Sequence, residues 1–176
     1  MNFKDAFWAQ LIIWNACSSG LMWYDKQPIS SIAELWEVAD RPDWMLWLAS
    51  KCKVDADLIK LSAVECAALC YVKEYIFQGL LALTKQFLQG RCTSTVLEEV
   101  LSEAKIHINH SDTTYAAWTV IWAARAALNK GANADWAALN AWKATRAQID
   151  GTKKLCDAIR KCIPIIQWNK GDQDAV

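Results

Sequence analysis

The sequence predicts an all-α protein, a compact array of roughly nine helices packed as antiparallel helical hairpins. Three observations carry this reading. Strand-like alternation is almost absent, and its longest run is Lys105-Ile106-His107-Ile108. Apolar residues recur at spacings of three and four, which stack side chains on one helix face. Helix-start and helix-stop residues punctuate the chain at short intervals.

The pattern places helices near 3–16, 18–25, 31–39, 41–51, 55–76, 79–89, 95–108, 112–130, 133–149 and 152–163. The first carries the apolar run Ala6 to Trp14, but Asp5 sits where an export signal carries positive charge and Gln10 interrupts the run, so an amphipathic helix is expected rather than a signal. The second lies between Ala16-Cys17 and Lys26. The third opens on Ser31-Ile32-Ala33-Glu34, a capping box in which hydroxyl and carboxylate satisfy orphan N–H groups reciprocally. The fourth has Asp40 as its expected cap, with Pro42 and Asp43 in a first turn suited to both. The fifth shows a stripe of Leu58, Leu61, Val64, Leu69 and Val72, with Cys66 and Cys70 beside it. Gly90 is an expected stop for the sixth, and Thr95-Val96-Leu97-Glu98 a second capping box for the seventh. Tyr115, Trp118, Trp122 and Arg125 mark the expected inner face of the eighth. After Gly131, the ninth is capped by Asn133 and striped by Leu139, Trp142, Arg146 and Ile149. Gly151 is read as the next break, and Leu155, Ile159 and Cys162 stripe the tenth. One helical domain over 1–168 is expected, with a frayed polar tail over 169–176.

Composition narrows the function. Lysine plus arginine balances aspartate plus glutamate at 19 each, which argues against a dedicated nucleic-acid binder. Nothing approaches the ~18 consecutive apolar residues of a membrane span, so no membrane is expected as a partner. Seven cysteines without framework spacing read as reduced thiols in a cytoplasmic protein.

Eleven tryptophans are the outstanding feature, and six fall in the first 47 residues. Their helical spacing, and the caps before Trp36, Trp44 and Trp136, assign most of them to the core. On that reading Trp44→Ala or Trp47→Ala costs roughly 3–5 kcal/mol.

Chemistry-bearing constellations are few. No P-loop, G-x-G-x-x-G, G-x-S-x-G or H-E-x-x-H occurs, and no enzyme, cofactor or metal is expected. Cys66 and Cys70 with His107 and His110 would make a tetrahedral metal site only if the two pairs converged. The carboxylates Asp55/Asp57 and Glu98/Glu99 read as solvated helix starts. Lys51, Lys53 and Lys60 form one basic cluster. Lys153, Lys154, Arg160 and Lys161 form another, the candidate contact face for a phosphate backbone.

The order of features resembles a group of small helical phage and bacterial proteins known as immunity-protein-like. The resemblance rests on Ala16-Cys17, Trp23, Glu34-Leu35-Trp36 and the run Arg41-Pro42-Asp43-Trp44-Met45-Leu46-Trp47-Leu48. It continues through Ala63-Val64-Glu65-Cys66-Ala67, Gln89-Gly90, Thr93 to Val100, and Cys156 to Pro164. Pro42 stands where relatives often carry glycine. Trp23, Trp36, Arg41, Asp43, Trp44 and Trp47 are thus a structural signature. The resemblance implies a phage-encoded, non-enzymatic inhibitor of a host protein, an anti-CRISPR or similar counter-defence factor acting in the host cytoplasm. A toxin or bacteriocin immunity protein, and a nucleic-acid-associated helical protein using the Lys153–Lys161 face, are the alternatives. Oligomeric state is not legible.

Overall fold

Alanine, not tryptophan, fills the centre of this molecule. The computed structural model describes residues 2–108 and 115–164; His110 and the expected tail over 169–176 lie outside them. Among the described residues there are ten helices and no strand. They are α1 (Phe3–Ile13), α2 (Ser18–Asp25), α3 (Ile32–Val38), α4 (Pro42–Lys51), α5 (Ala56–Ala68), α6 (Tyr75–Leu88), α7 (Ser94–Ile108), α8 (Tyr115–Leu128), α9 (Ala134–Thr145) and α10 (Gly151–Cys162). No helix is long and apolar enough to cross a membrane, among the described residues.

Helix α8 is apolar all round, so its sequence does not say which face is inner. The face that packs is Ala116, Ala117, Val120, Ala123, Ala124 and Ala127, all buried. On α9 it is Ala134, Ala137, Ala138 and Ala141. Two small-residue faces let backbones approach closely, and α8 and α9 form the most intimate pair in the fold. The expected stripes on these helices, Tyr115/Trp118/Trp122/Arg125 and Leu139/Trp142/Arg146/Ile149, lie at the edge of the core: Trp118, Trp122 and Trp142 pack half-buried against it, and Tyr115, Arg146 and Ile149 are exposed. On α5, Ile59, Ala63, Val64, Cys66 and Ala67 are buried, whereas Leu61 and Leu69 of the expected stripe are exposed. The α10 stripe behaves as expected for Leu155 and Ile159, both buried.

Buried polar side chains in this core satisfy themselves locally. Ser62, Thr84, Thr119 and Thr145 each donate to the carbonyl four residues back, at 2.7–2.9 Å. A second cluster, Phe7, Leu11, Tyr24, Ile29, Ile32, Leu35, Leu48 and Cys52, seats α1–α3 against one side of α4. Trp23 packs against both clusters.

The caps show where local signals hold. Ser31 Oγ accepts from the Glu34 N–H at 3.2 Å, and the Glu34 carboxylate reaches back to the Ser30 N–H at 2.6 Å, one residue further than a standard box. For α7 the cap is Thr93, accepting from Val96, not Thr95. Arg41 rather than Asp40 precedes α4, with Pro42 at the first position. Asp55 caps α5 by accepting from Asp57 at 2.7 Å. Gly90 and Gly131 end helices in left-handed backbone, as expected. Gly151 instead starts α10, where a Cβ would lie 2.2 Å from the Thr145 carbonyl oxygen. The single long helix expected over 55–76 ends at Ala68. The link to α6 carries no glycine or proline, and Gln78 Nε2 donates to Val72 O at 2.9 Å to hold it.

Candidate functional site: a tryptophan-lined cleft with an unpaired carboxylate

With alanines occupying the centre, the tryptophans are displaced outward. Of the described tryptophans only Trp36 is buried; Trp136 is 50% exposed and the others are half-buried. The assignment of most tryptophans to the core therefore holds only in part: Trp8, Trp14, Trp23, Trp47, Trp118, Trp122 and Trp142 pack half-buried against the edges of the two core clusters, and Trp168 lies outside the described residues. In the signature run Met45, Leu46, Leu48 and Ala49 face the core, while Trp44 and Trp47 turn to the side.

That side is a cleft of about 270 Å³ where α1–α3 meet α4 and α9. At ~30 Å³ per water this is room for several waters or a small organic group. Trp23, Trp44, Trp47 and Trp136 supply indole walls, and Leu11, Leu35, Leu48 and Leu139 the remaining apolar lining. Trp23 and Trp44 lie 5.8 Å apart at a tilt of 58°, and Trp47 meets Trp14 edge-on at 6.5 Å. From Trp136 an aromatic row leads away over the surface, stacked on Trp122 at 5.8 Å and then on Trp118 at 6.4 Å. Gly20 keeps the wall thin, its missing Cβ facing Trp44.

Two carboxylates reach this lining, Asp43 and Asp135. Asp43 is neutralised by Arg41 through a bidentate pair at 2.9 and 2.8 Å. The Arg41 guanidinium is also sandwiched between Trp44 and Trp142, at 4.6 and 4.0 Å from the ring centroids. Arg41 itself does not line the cleft. Asp135 sits in the first turn of α9, and no lysine or arginine among the described residues pairs with it. Burial raises its pKa, the Asp43 carboxylate adds to that, and the backbone N–H groups of Trp136 and Asp135 oppose it. In the sequence Asp135 is only an acid two residues after the Asn133 cap, in the first turn of a helix. Its environment is assembled by α4 and the Asn15–Cys17 link, far away in the chain.

The other candidates separate. Cys66 is fully buried, and burial pushes its thiol well above the ordinary range; Cys70 is pushed up to about 11 and donates to Cys66 O at 3.5 Å. His107 is exposed in the last turn of α7, so it does not join them. No group of three or more potential metal ligands converges among the described residues. All seven cysteines are free thiols, and Cys17 at the cleft rim is exposed, its Sγ 3.3 Å from Ser19 Oγ. Lys153, Lys154 and Lys161 are exposed, and Lys154 and Lys161 share a shallow groove with Glu65 and Asp157. Arg160 leaves that face. Its guanidinium turns inward and donates to Trp36 O, Glu37 O and Ala39 O at 3.1, 2.8 and 2.7 Å. Lys60 is engaged by Asp57 at 2.7 Å, and Lys51 lies over the Trp47 ring at 5.8 Å.

No family model matches this chain, and no curated protein or solved structure is detectably similar to it.

Proposed function

We propose that this chain is a non-catalytic binding protein, an inhibitor that holds a protein partner at the tryptophan-lined cleft. One observation carries the reading. The fold buries alanine and keeps four indoles on the walls of a single cleft. Tryptophan is enriched where binding energy concentrates, because a rigid indole desolvates a large area at small entropic cost. The resemblance of Arg41 to Leu48 to immunity-protein-like chains supplies the biological direction: a phage-borne factor directed at a host defence component, with an anti-CRISPR as its concrete form and toxin immunity as its second. The nucleic-acid reading is the weaker one. Arg160 is spent on backbone carbonyls, and Glu65 and Asp157 dilute the three lysines left on that face.

The test is relief of restriction. The chain is expressed in a bacterium with an interference-active CRISPR system, and plaquing of a targeted phage is counted. Plaquing should rise with the native chain and fall back with Trp136→Ala, an exposed position whose loss leaves the core intact. If no defence system is relieved, the counter-defence role falls. If Trp136→Ala and a second wall variant, Trp23→Ala, both act like the native chain, the cleft is not the binding surface.

A further inference from the structure

We propose that the cleft binds an organic cation, an alkylated ammonium group held between indole faces with Asp135 as its counter-charge. This deepens the reading of the cleft as the binding surface and rests on it. The charge count comes first. Arg41 and Asp43 cancel as a pair, so Asp135 leaves the cleft with one net negative charge. Among the described residues no lysine, arginine or histidine lines it. A carboxylate among indoles and leucines is costly to keep ionised, and a cation brought by a ligand supplies the missing partner.

The walls then choose the kind of cation. A bare ammonium carries a tight water shell, which must be replaced by hydrogen-bond acceptors when it is buried. The lining side chains that offer oxygen acceptors are Asp135, Asp43, Asn15 and Tyr24, whose hydroxyl already donates to Lys4 O. A methylated ammonium needs none. Its charge spreads over methyl groups that pack against apolar walls and are attracted by the negative faces of aromatic rings, each contact contributing ~0.5–2 kcal/mol. The molecule already uses this chemistry next door, where the Arg41 guanidinium lies over Trp44 and Trp142. Trp23, Trp44, Trp47 and Trp136 provide the corresponding surfaces inside the cleft. A trimethylated lysine on a partner and a free choline-type head group share this chemistry.

The full chain is titrated by calorimetry with choline, with its neutral carbon isostere, and with a short peptide bearing trimethyl-lysine or unmodified lysine. Indole N–H shifts are followed by NMR in parallel. Choline or the methylated peptide should bind roughly tenfold or more tightly than the neutral isostere, the scale of one to two cation–π contacts. Which of the two binds better identifies the source of the group. Asp135→Asn should weaken cation binding roughly tenfold while its thermal midpoint at neutral pH holds or rises, because an uncompensated charge has been removed. The sign follows from the raised carboxyl pKa: ionisation penalises the folded state at neutral pH, and the gain in the variant shrinks as pH falls toward the ordinary aspartate value of 3.8. The titratable groups that line the cleft with Asp135 are Asp43 from α4 and Cys17 and Tyr24 from the α1–α2 side, and Asp43 is the one whose charge raises the Asp135 pKa. Equal binding of choline and its isostere, or native affinity in Asp135→Asn, overturns the proposal. Relief of restriction without cation binding would remove this inference and leave the binding-protein reading standing. Cation binding without relief would keep this inference and remove the counter-defence role.

Discussion

Trp36→Ala should destabilise the fold by roughly 3–5 kcal/mol, the scale for a core aromatic whose cavity cannot collapse. Trp36 is 1% exposed and heads the fully buried side chains in size. It ties the short helix α3 to the main core, while Ile32 and Leu35 of the same helix pack with the α1–α2 side. Trp44→Ala and Trp47→Ala remove side chains that already face the cleft, so each should cost less, about 1–2.5 kcal/mol. Urea unfolding of the three variants, followed by far-ultraviolet dichroism, gives the ranking. A domain's total stability is about 5–15 kcal/mol, so Trp36→Ala should be visible as a large loss of midpoint at unchanged slope. A larger loss for Trp44→Ala than for Trp36→Ala would return the signature run to the core. Cleft binding supplies the complementary readout, since Trp44→Ala should impair it at a stability the fold tolerates.

The ranking also shows what a sequence can and cannot say about this molecule. Ten helices stand among the described residues where roughly nine are expected, each overlapping a stretch that spacing and punctuation mark, because helix starts and stops are local: Ser31, Pro42, Asp55, Gly90 and Gly131 act within a turn of themselves. The inner faces were not legible. On α8 the tryptophan stripe and the alanine stripe have the same period, and size alone favours the wrong one. What decides is the distance to neighbouring helices, and small residues win where α5, α6 and α9 all crowd against α8. The site was half legible. Trp23, Trp44, Trp47 and Asp43 belong to the signature by resemblance, and all four line the cleft. Asp135 and Trp136 look in the sequence like an ordinary helix start. Only the packing of α9 on α4 brings them opposite Asp43.

Arg160→Met should cost roughly 2–3 kcal/mol, on the scale of hydrogen bonds to a charged group after allowance for partial exposure. Its sequence context, among Lys153, Lys154 and Lys161, predicts a solvated contact residue, whose loss would cost no more than about 0.5 kcal/mol. The structure gives it another task. The last carbonyls of any helix lack intrahelical donors, and a cation there also complements the helix dipole. Helix α3 has only seven residues, too short to hold itself. Arg160 reaches across 124 positions of sequence to Trp36 O and also takes Glu37 O and Ala39 O. Methionine matches the length and apolar character of the stem but leaves those three acceptors to water or to nothing. Arg160→Lys keeps the charge without the planar fork and should recover only part of the loss. Amide exchange separates this from a general weakening: the amides of α3 should open at lower cost in Arg160→Met while those of α8 shift only with global stability. A loss within 0.5 kcal/mol, with α3 protection unchanged, would put Arg160 back on the surface as a contact residue. The consequence for the cleft follows from the chain path. Ala39 leads directly into Arg41 and Asp43, the pair that backs Trp44. Loosening the Ala39 carbonyl therefore loosens that seat, and Arg160→Met should weaken cation binding although Arg160 touches nothing in the cleft.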